Sequence, residues 1–264
     1  MSAGWAAGTV RAKAMARRAL RPEAVRQVAA CQSLPQAAQL LAATPYRRAG
    51  QPGLPLSAAQ HAVAATILWE LRVLAGWLPR DGVTMLRLLA GGFELANVDE
   101  LLQSLNGRPA GQEFELGALA TAWPQLAQSR SIAELRHALA ASVWGDPGGE
   151  TSGDIRLGLR TRWAARVAAI GDPARAWATA AAALLTPDAQ SAAAGPVVTP
   201  WQAEAAWWRR VEREGRTLLR SSRLDSSPVL GAAMVMAADA RRVRAALEIA
   251  ARGGLAMEAY DAVA

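Results

Sequence analysis

Apolar positions along this chain recur at helical spacing almost throughout. In the short segment SLPQAAQLLAATPY, residues 33–46, Leu34, Ala37 and Leu41 fall at i, i+3 and i+7. That places them on one stripe of a helix that must be buried. Ser33 with Gln36 three places on forms the pattern of a capping box. Thr44-Pro45 ends the helix, since a residue before proline avoids the α region. The segment SIAELRHALAASVW, residues 131–144, repeats this plan. Ile132, Leu135 and Leu139 form its stripe, and Ser131 with Glu134 its capping box. Tyr46 and Trp144 close the two segments at matching places, positioned to pack back on a neighbour.

The same periodicity predicts helices at about 9–21, 22–31, 57–77, 81–91, 94–106, 153–170, 173–186, 201–222 and 227–252, with 187–200 as a Pro/Ala/Gly/Ser-rich linker. Strand signals are almost absent: no β-branched run and no alternating stretch bounded by Asn-Gly or Asp-Gly occurs. A second, fainter repeat lays FELANVDELLQSLNG, 93–107, over VMAADARRVRAALEIAARGG, 235–254. Glu94 then meets Asp239, Val98 meets Val243 and Leu102 meets Leu247. Both repeats together predict related helical lobes.

Composition sharpens this picture. With 264 residues, 52% hydrophobic and 19% charged, the chain is long and apolar enough for a sizeable core. The net charge is +7, and Lys13 is the only lysine among 29 basic residues. Arginine favours bidentate contacts with carboxylates and phosphates, although GC-rich codon usage gives the same skew. Cys31 stands alone, which excludes an intrachain disulfide and fits a reducing compartment. No signal segment and no apolar run of about 20 residues is visible, so any work at a membrane is expected from outside it.

Catalytic patterns are missing. His61 and His137 have no partner at metal-ligand spacing, and no phosphate-binding glycine loop, dinucleotide fingerprint or nucleophile elbow occurs. The expectation is no catalytic residue, no metal and no cofactor. Basic clusters at Arg17-Arg18-Arg21, Arg209-Arg210 and Arg241-Arg242-Arg244 keep open an alternative: a basic, all-helical nucleic-acid-binding or regulatory scaffold.

The order of these segments resembles the C subunit of V/A-type rotary ATPases, equivalent to subunit d of the eukaryotic vacuolar enzyme. The resemblance rests on the Arg-rich opening TVRAKAMARRALRPEAVRQVAA, the SLPQAAQLLAATPY helix, FELANVDELLQSLNG with Glu94 and Asn97 at matching places, and PVLGAAMVMAADARRVRAALEIAARGG with Asp239 and Arg242 matching. It holds over roughly 9–107 and 201–262, while 111–200 keeps only the repeated short helix. The resemblance implies an all-α funnel of related lobes in pseudo-threefold arrangement, with lobes expected at 1–110, 111–195 (shortened) and 196–264. It implies a non-catalytic central-stalk rotor subunit that couples the shaft to the proteolipid ring and transmits torque. The implied partners are the coiled-coil shaft subunit, its small companion and the cytoplasmic loops of the ring, with no nucleic acid and no small-molecule substrate. The implied place is the cytoplasmic face of a membrane, as a peripheral part of a complex. Asn97, Asp99, Arg242 and Arg244, on the two repeat helices, are the expected partner-binding residues.

Overall fold

The computed structural model describes residues 3–185, 199–254 and 256–263. Among the described residues the chain is all-α, without a strand. In order, the helices are α1 (Ala3–Ala16), α2 (Pro22–Ala29), α3 (Leu34–Leu41), α4 (Leu56–Ala75), α5 (Arg80–Leu105), α6 (Trp123–Leu126), α7 (Ile132–Ala140), α8 (Ser152–Ala168), α9 (Ala174–Leu184), α10 (Pro200–Arg220), α11 (Ser226–Ala251) and α12 (Met257–Val263). A single 3-10 turn, Gly117–Leu119, precedes α6. Most of the expected linker, 187–198, lies outside the described residues. Its last two positions belong to the next helix: Thr199 caps α10, in a reciprocal box with Gln202, and Pro200 opens it.

The helices group into two compact units, one from Met1–Pro79 with Val197–Ala264, the other from Arg80–Pro196. These boundaries differ from the three expected lobes. Local composition cannot reveal that α10 and α11 return to pack with the N-terminal helices.

In the first unit α11 is the central rod. Its 26 residues span about 39 Å, and most of them are buried, Val229, Val235, Val243, Leu247 and Ala250 completely. A helix apolar on every side must be surrounded, and α1, α2, α4 and α10 supply the cover. The approach of α10 depends on two glycines: a Cβ on Gly231 would lie 2.6 Å from the Gly215 carbonyl oxygen.

In the second unit α5 takes the same part, burying Leu86, Leu95, Val98 and Leu102 against α6, α8 and the 3-10 turn. The expected break between helices 81–91 and 94–106 does not occur. Two interior glycines weaken a helix, but here the Trp163 indole of α8 lies over both. A Cβ at Gly91 or Gly92 would come within 3.0 or 2.8 Å of that ring, whose Nε1 donates to the Leu88 carbonyl at 2.8 Å. Both central helices end alike, on left-handed Gly107 (φ +71°) and Gly253 (φ +87°). The amide of the following residue returns to the carbonyl of Gln103 or Ile249, each at 3.0 Å, as in a Schellman motif.

Candidate functional site

Each unit is organised around one buried carboxylate on its central helix. In the second unit this is Glu94, 1% exposed. Its two oxygens accept from the Thr121 amide (2.7 Å), the Thr121 hydroxyl (2.6 Å), the Ala122 amide (2.9 Å) and the Trp144 indole Nε1 (2.7 Å). A buried carboxylate is stable only when so satisfied. Trp144 is delivered by the end of α7: the Ser142 hydroxyl donates to the Leu139 carbonyl at 2.7 Å and accepts the Trp144 amide at 3.1 Å. This local hydroxyl bridge stops the helix and turns the ring inward. Arg166 covers the outer face of the ring, 4.8 Å from its centroid.

The first unit repeats the device with other side chains. Asp239 of α11, 1% exposed, accepts the Tyr46 hydroxyl at 2.7 Å and the Leu20 amide at 3.1 Å. Thr44 plays the part of Ser142, donating to the Leu41 carbonyl (2.7 Å) and accepting the Tyr46 amide (3.1 Å). The Leu20 contact also explains why α1 ends at Ala16, short of its expected end at 21: residues 17–21 are drawn off as a strap onto Asp239. The repeat alignment thus holds in three dimensions. Glu94 and Asp239 hold equivalent aromatics, Val98 and Val243 are each fully buried, and so are Leu102 and Leu247.

The capping boxes differ from expectation. Ser33 makes no side-chain cap; instead Gln36 accepts from the Gln32 amide at 3.0 Å. Ser131 does accept from the Glu134 amide at 3.1 Å, but the Glu134 carboxylate takes the Arg130 amide at 2.8 Å. In both helices the third-position side chain reaches one residue further back than a capping box requires.

The four expected partner-binding residues form two equivalent pairs, Asn97 with Arg242 and Asp99 with Arg244, each three or five residues beyond the central acid. Asn97 is fully buried and clamps Phe114, donating to its carbonyl (3.0 Å) and accepting its amide (2.7 Å). Asp99 pairs with Arg156 (3.1 Å) and Arg160 (2.6 Å) of α8. Arg242, 6% exposed, forms ion pairs with Glu212 of α10 and with Asp239 at 3.4 Å. Arg244 is exposed. Asn97, Asp99 and Arg242 therefore serve contacts within their own units.

Glu212 is the member of this cluster that sequence reading missed. It also accepts from Arg216 Nε at 3.0 Å and Nη2 at 2.6 Å. Burial pushes Glu212 up, but the Arg242 and Arg216 guanidiniums outweigh it and hold the carboxyl below its ordinary value. Burial pushes Arg242 down, and Glu212 and Asp239 reverse that, so its pKa is raised. Asp239 is raised by burial, against the opposing pull of Tyr46, the Leu20 amide and Arg242. Tyr46 is raised well above the ordinary phenol value by burial and by the facing Asp239. No group of three or more His, Cys, Asp or Glu that could hold a metal occurs among the described residues.

Half of the arginines in the basic clusters, Arg18, Arg210, Arg241 and Arg242, form ion pairs within the chain. Arg18 pairs with the buried Glu70 at 3.0 Å, Arg210 with Glu214 at 2.8 Å and Arg241 with Glu204 at 3.4 Å. No curated protein matches this chain. Residues 9–151 match the family described as ATP synthase (C/AC39) subunit. The matched span takes in both short helices, Tyr46, Glu94 and Trp144, and hence the whole of the Glu94 lock. With more than half of its length so matched, the chain belongs to the C/AC39 subunit family of the V/A-type ATPases and ATP synthases.

Proposed function

We propose that this chain is the non-catalytic coupling subunit of a V/A-type rotary ATPase, joining the central shaft to the proteolipid ring on the cytoplasmic face and turning with both. Family membership supplies the complex. The observation that carries the coupling role is the twin lock. A part that passes torque must not let its helices slide, and each unit pins a strap, a short helix and an aromatic to one central helix through a buried carboxylate. Such charge-assisted bonds in a dry interior resist shear because breaking one strands a buried charge. Among the described residues no helix is long and apolar enough to cross a membrane; in this reading attachment runs through the ring. Of the four expected contact residues we assign partner contact to Arg244, whose side chain is exposed, and positioning within the units to Asn97, Asp99 and Arg242.

The test is purification of the tagged chain from its own membranes in gentle detergent, with mass spectrometry of what accompanies it. Proteolipid, shaft and catalytic ATPase subunits are expected. Recovery of the chain alone, or with nucleic acid, would refute the reading. Arg244→Glu should reduce recovery of the partners and leave the melting temperature unchanged.

A further inference from the structure

The solvent face of α10 carries Arg209, Arg213, Arg216 and Arg220, four arginines at successive spacings of four, three and four residues. All four are exposed. This is the spacing of a coiled-coil seam: such positions stay on one line along a helix, here over about 16 Å. Like charges three and four residues apart repel along a helix, and the fold offers this row little relief. Glu212 holds Arg216 through one oxygen and Arg242 through the other, which leaves it engaged with those two and not with Arg209, Arg213 or Arg220. Glu214 is taken by Arg210 and Glu204 by Arg241. Among the described residues Arg220 reaches the Thr217 hydroxyl, at 3.1 Å, and no carboxylate. Beyond the end of the row, Lys13 of α1 is fastened to the Ser221 carbonyl at 2.7 Å, so a further cation closes this end of the helix.

We propose that the arginine row of α10 is a docking seam for an acidic helix whose carboxylates repeat at the same four–three–four spacing. Guanidinium forks match carboxylates in two-pronged pairs, and a helix laid along α10 presents them at the required intervals. A four–three–four sequence reads the same in both directions, so the seam accepts the partner helix in either polarity. A flat anionic surface would need only the charge, whereas the alignment of the row on one line is what a second helix reads. The seam stands independently of the coupling reading, because it lies on α10 alone and involves neither Arg244 nor the buried locks.

The experiment measures binding of the full chain to two labelled helical peptides of identical composition by fluorescence anisotropy. One carries glutamates at i, i+4, i+7 and i+11; the other distributes them around the helix. The seam peptide should bind about tenfold or more tighter, and R209E/R213E should abolish the difference. R47E/R48E, an equal change of charge at exposed positions after α3, should preserve it. R213Q/R220Q, which introduces no new charge, should lower seam-peptide binding in step, with circular dichroism confirming that each variant is folded. Equal binding of the two peptides, or equal losses in R209E/R213E and R47E/R48E, would overturn the proposal. Displacement of the seam peptide by phosphatidylglycerol vesicles or an oligonucleotide more effectively than by unlabelled seam peptide would also overturn it, since the row would then read charge alone. Neither result bears on which ATPase subunits co-purify with the chain.

Discussion

Tyr46→Phe isolates one bond of the Asp239 lock. The ring is 2% exposed, and its hydroxyl lies 2.7 Å from Asp239 Oδ2. Phenylalanine keeps the packing, so the change removes little besides a hydrogen bond to a charged acceptor, worth about 1.5–3 kcal/mol. Asp239 Oδ2 retains the Leu20 amide at 3.1 Å, and Oδ1 retains Arg242 at 3.4 Å. The carboxylate is therefore weakened rather than orphaned, which places the loss near 2 kcal/mol. At roughly 2–4 °C per kcal/mol for a chain of this size, the first unit should melt about 4–8 °C lower. Asp239→Asn should cost more, because one of its two acceptor oxygens becomes an NH2 that faces converging donors, and the charge opposite Arg242 is lost. Urea denaturation of the two single variants and the double variant should give a coupling energy of about 1–2 kcal/mol for residues in direct contact. A Tyr46→Phe loss below about 0.5 kcal/mol, or strict additivity in the cycle, would refute the claim that this bond pins α3 to α11. The cycle on Trp144→Phe and Glu94→Gln tests the twin independently. Its indole bond, also 2.7 Å, shares the carboxylate with three other donors.

Two pH predictions follow from the same cluster. Tyr46 titrates well above its ordinary value and Tyr260 is pushed up to about 12 by burial, so both are protonated donors or packed phenols in the folded state. Their stabilisation should be fully present below the unfolded value of about 10 and be lost as pH rises through the folded values. Melting temperatures measured from neutral pH upward should fall more steeply in the wild type than in Tyr46→Phe; parallel curves would contradict this. Glu212 is held low by Arg242 and Arg216, so its contribution has the opposite sign: present above the unfolded value of about 4.3 and lost as pH falls toward the depressed folded value. The stability gap between wild type and Glu212→Gln should therefore be constant near neutrality and close in acid; a gap that widened in acid would show that Glu212 is not the ionised partner of Arg242.

What could be read from the sequence follows a physical line. The Ser/Thr-x-aromatic endings were legible because each depends on a few neighbouring residues and occurs twice, and the equivalence of Glu94 and Asp239 was legible from their aligned helices; that each acid receives an aromatic was not, because the partners lie 50 and 193 residues apart. The strap at 17–21 was not legible. Arg17-Arg18-Ala19-Leu20-Arg21 has good helix propensity, and only a distant Asp239 draws it out of the helix; tertiary contact overrides propensity there. The unbroken α5 was hidden for a similar reason, since Gly91 and Gly92 read as a break until Trp163 is placed over them. Glu212 gave no signal because its role depends on the close approach of α10 to α11 at Gly215 and Gly231.

The equivalent positions also explain why Asn97 and Arg242, at matching places, make different contacts within their own units. One step past the central acid, each unit must fasten whatever covers its central helix. In the second unit the cover includes the segment around Phe114, an irregular stretch, and one neutral amide side chain meets both its amide and its carbonyl. In the first unit the cover is α10, a regular helix with its backbone bonds already made, so a backbone clamp has nothing to hold. The available handle is a side chain, Glu212, and its burial beside Asp239 would place two carboxylates together. An arginine between them neutralises both, and an asparagine there would leave the pair to repel. The difference between Asn97 and Arg242 is thus set by what lies across the helix. The residue two places on, freed from that task, points outward as Arg244 in one unit, while its twin Asp99 is taken by Arg156 and Arg160. A position that is structural in one copy and exposed in the other is where a duplicated scaffold can take on a partner without weakening its lock.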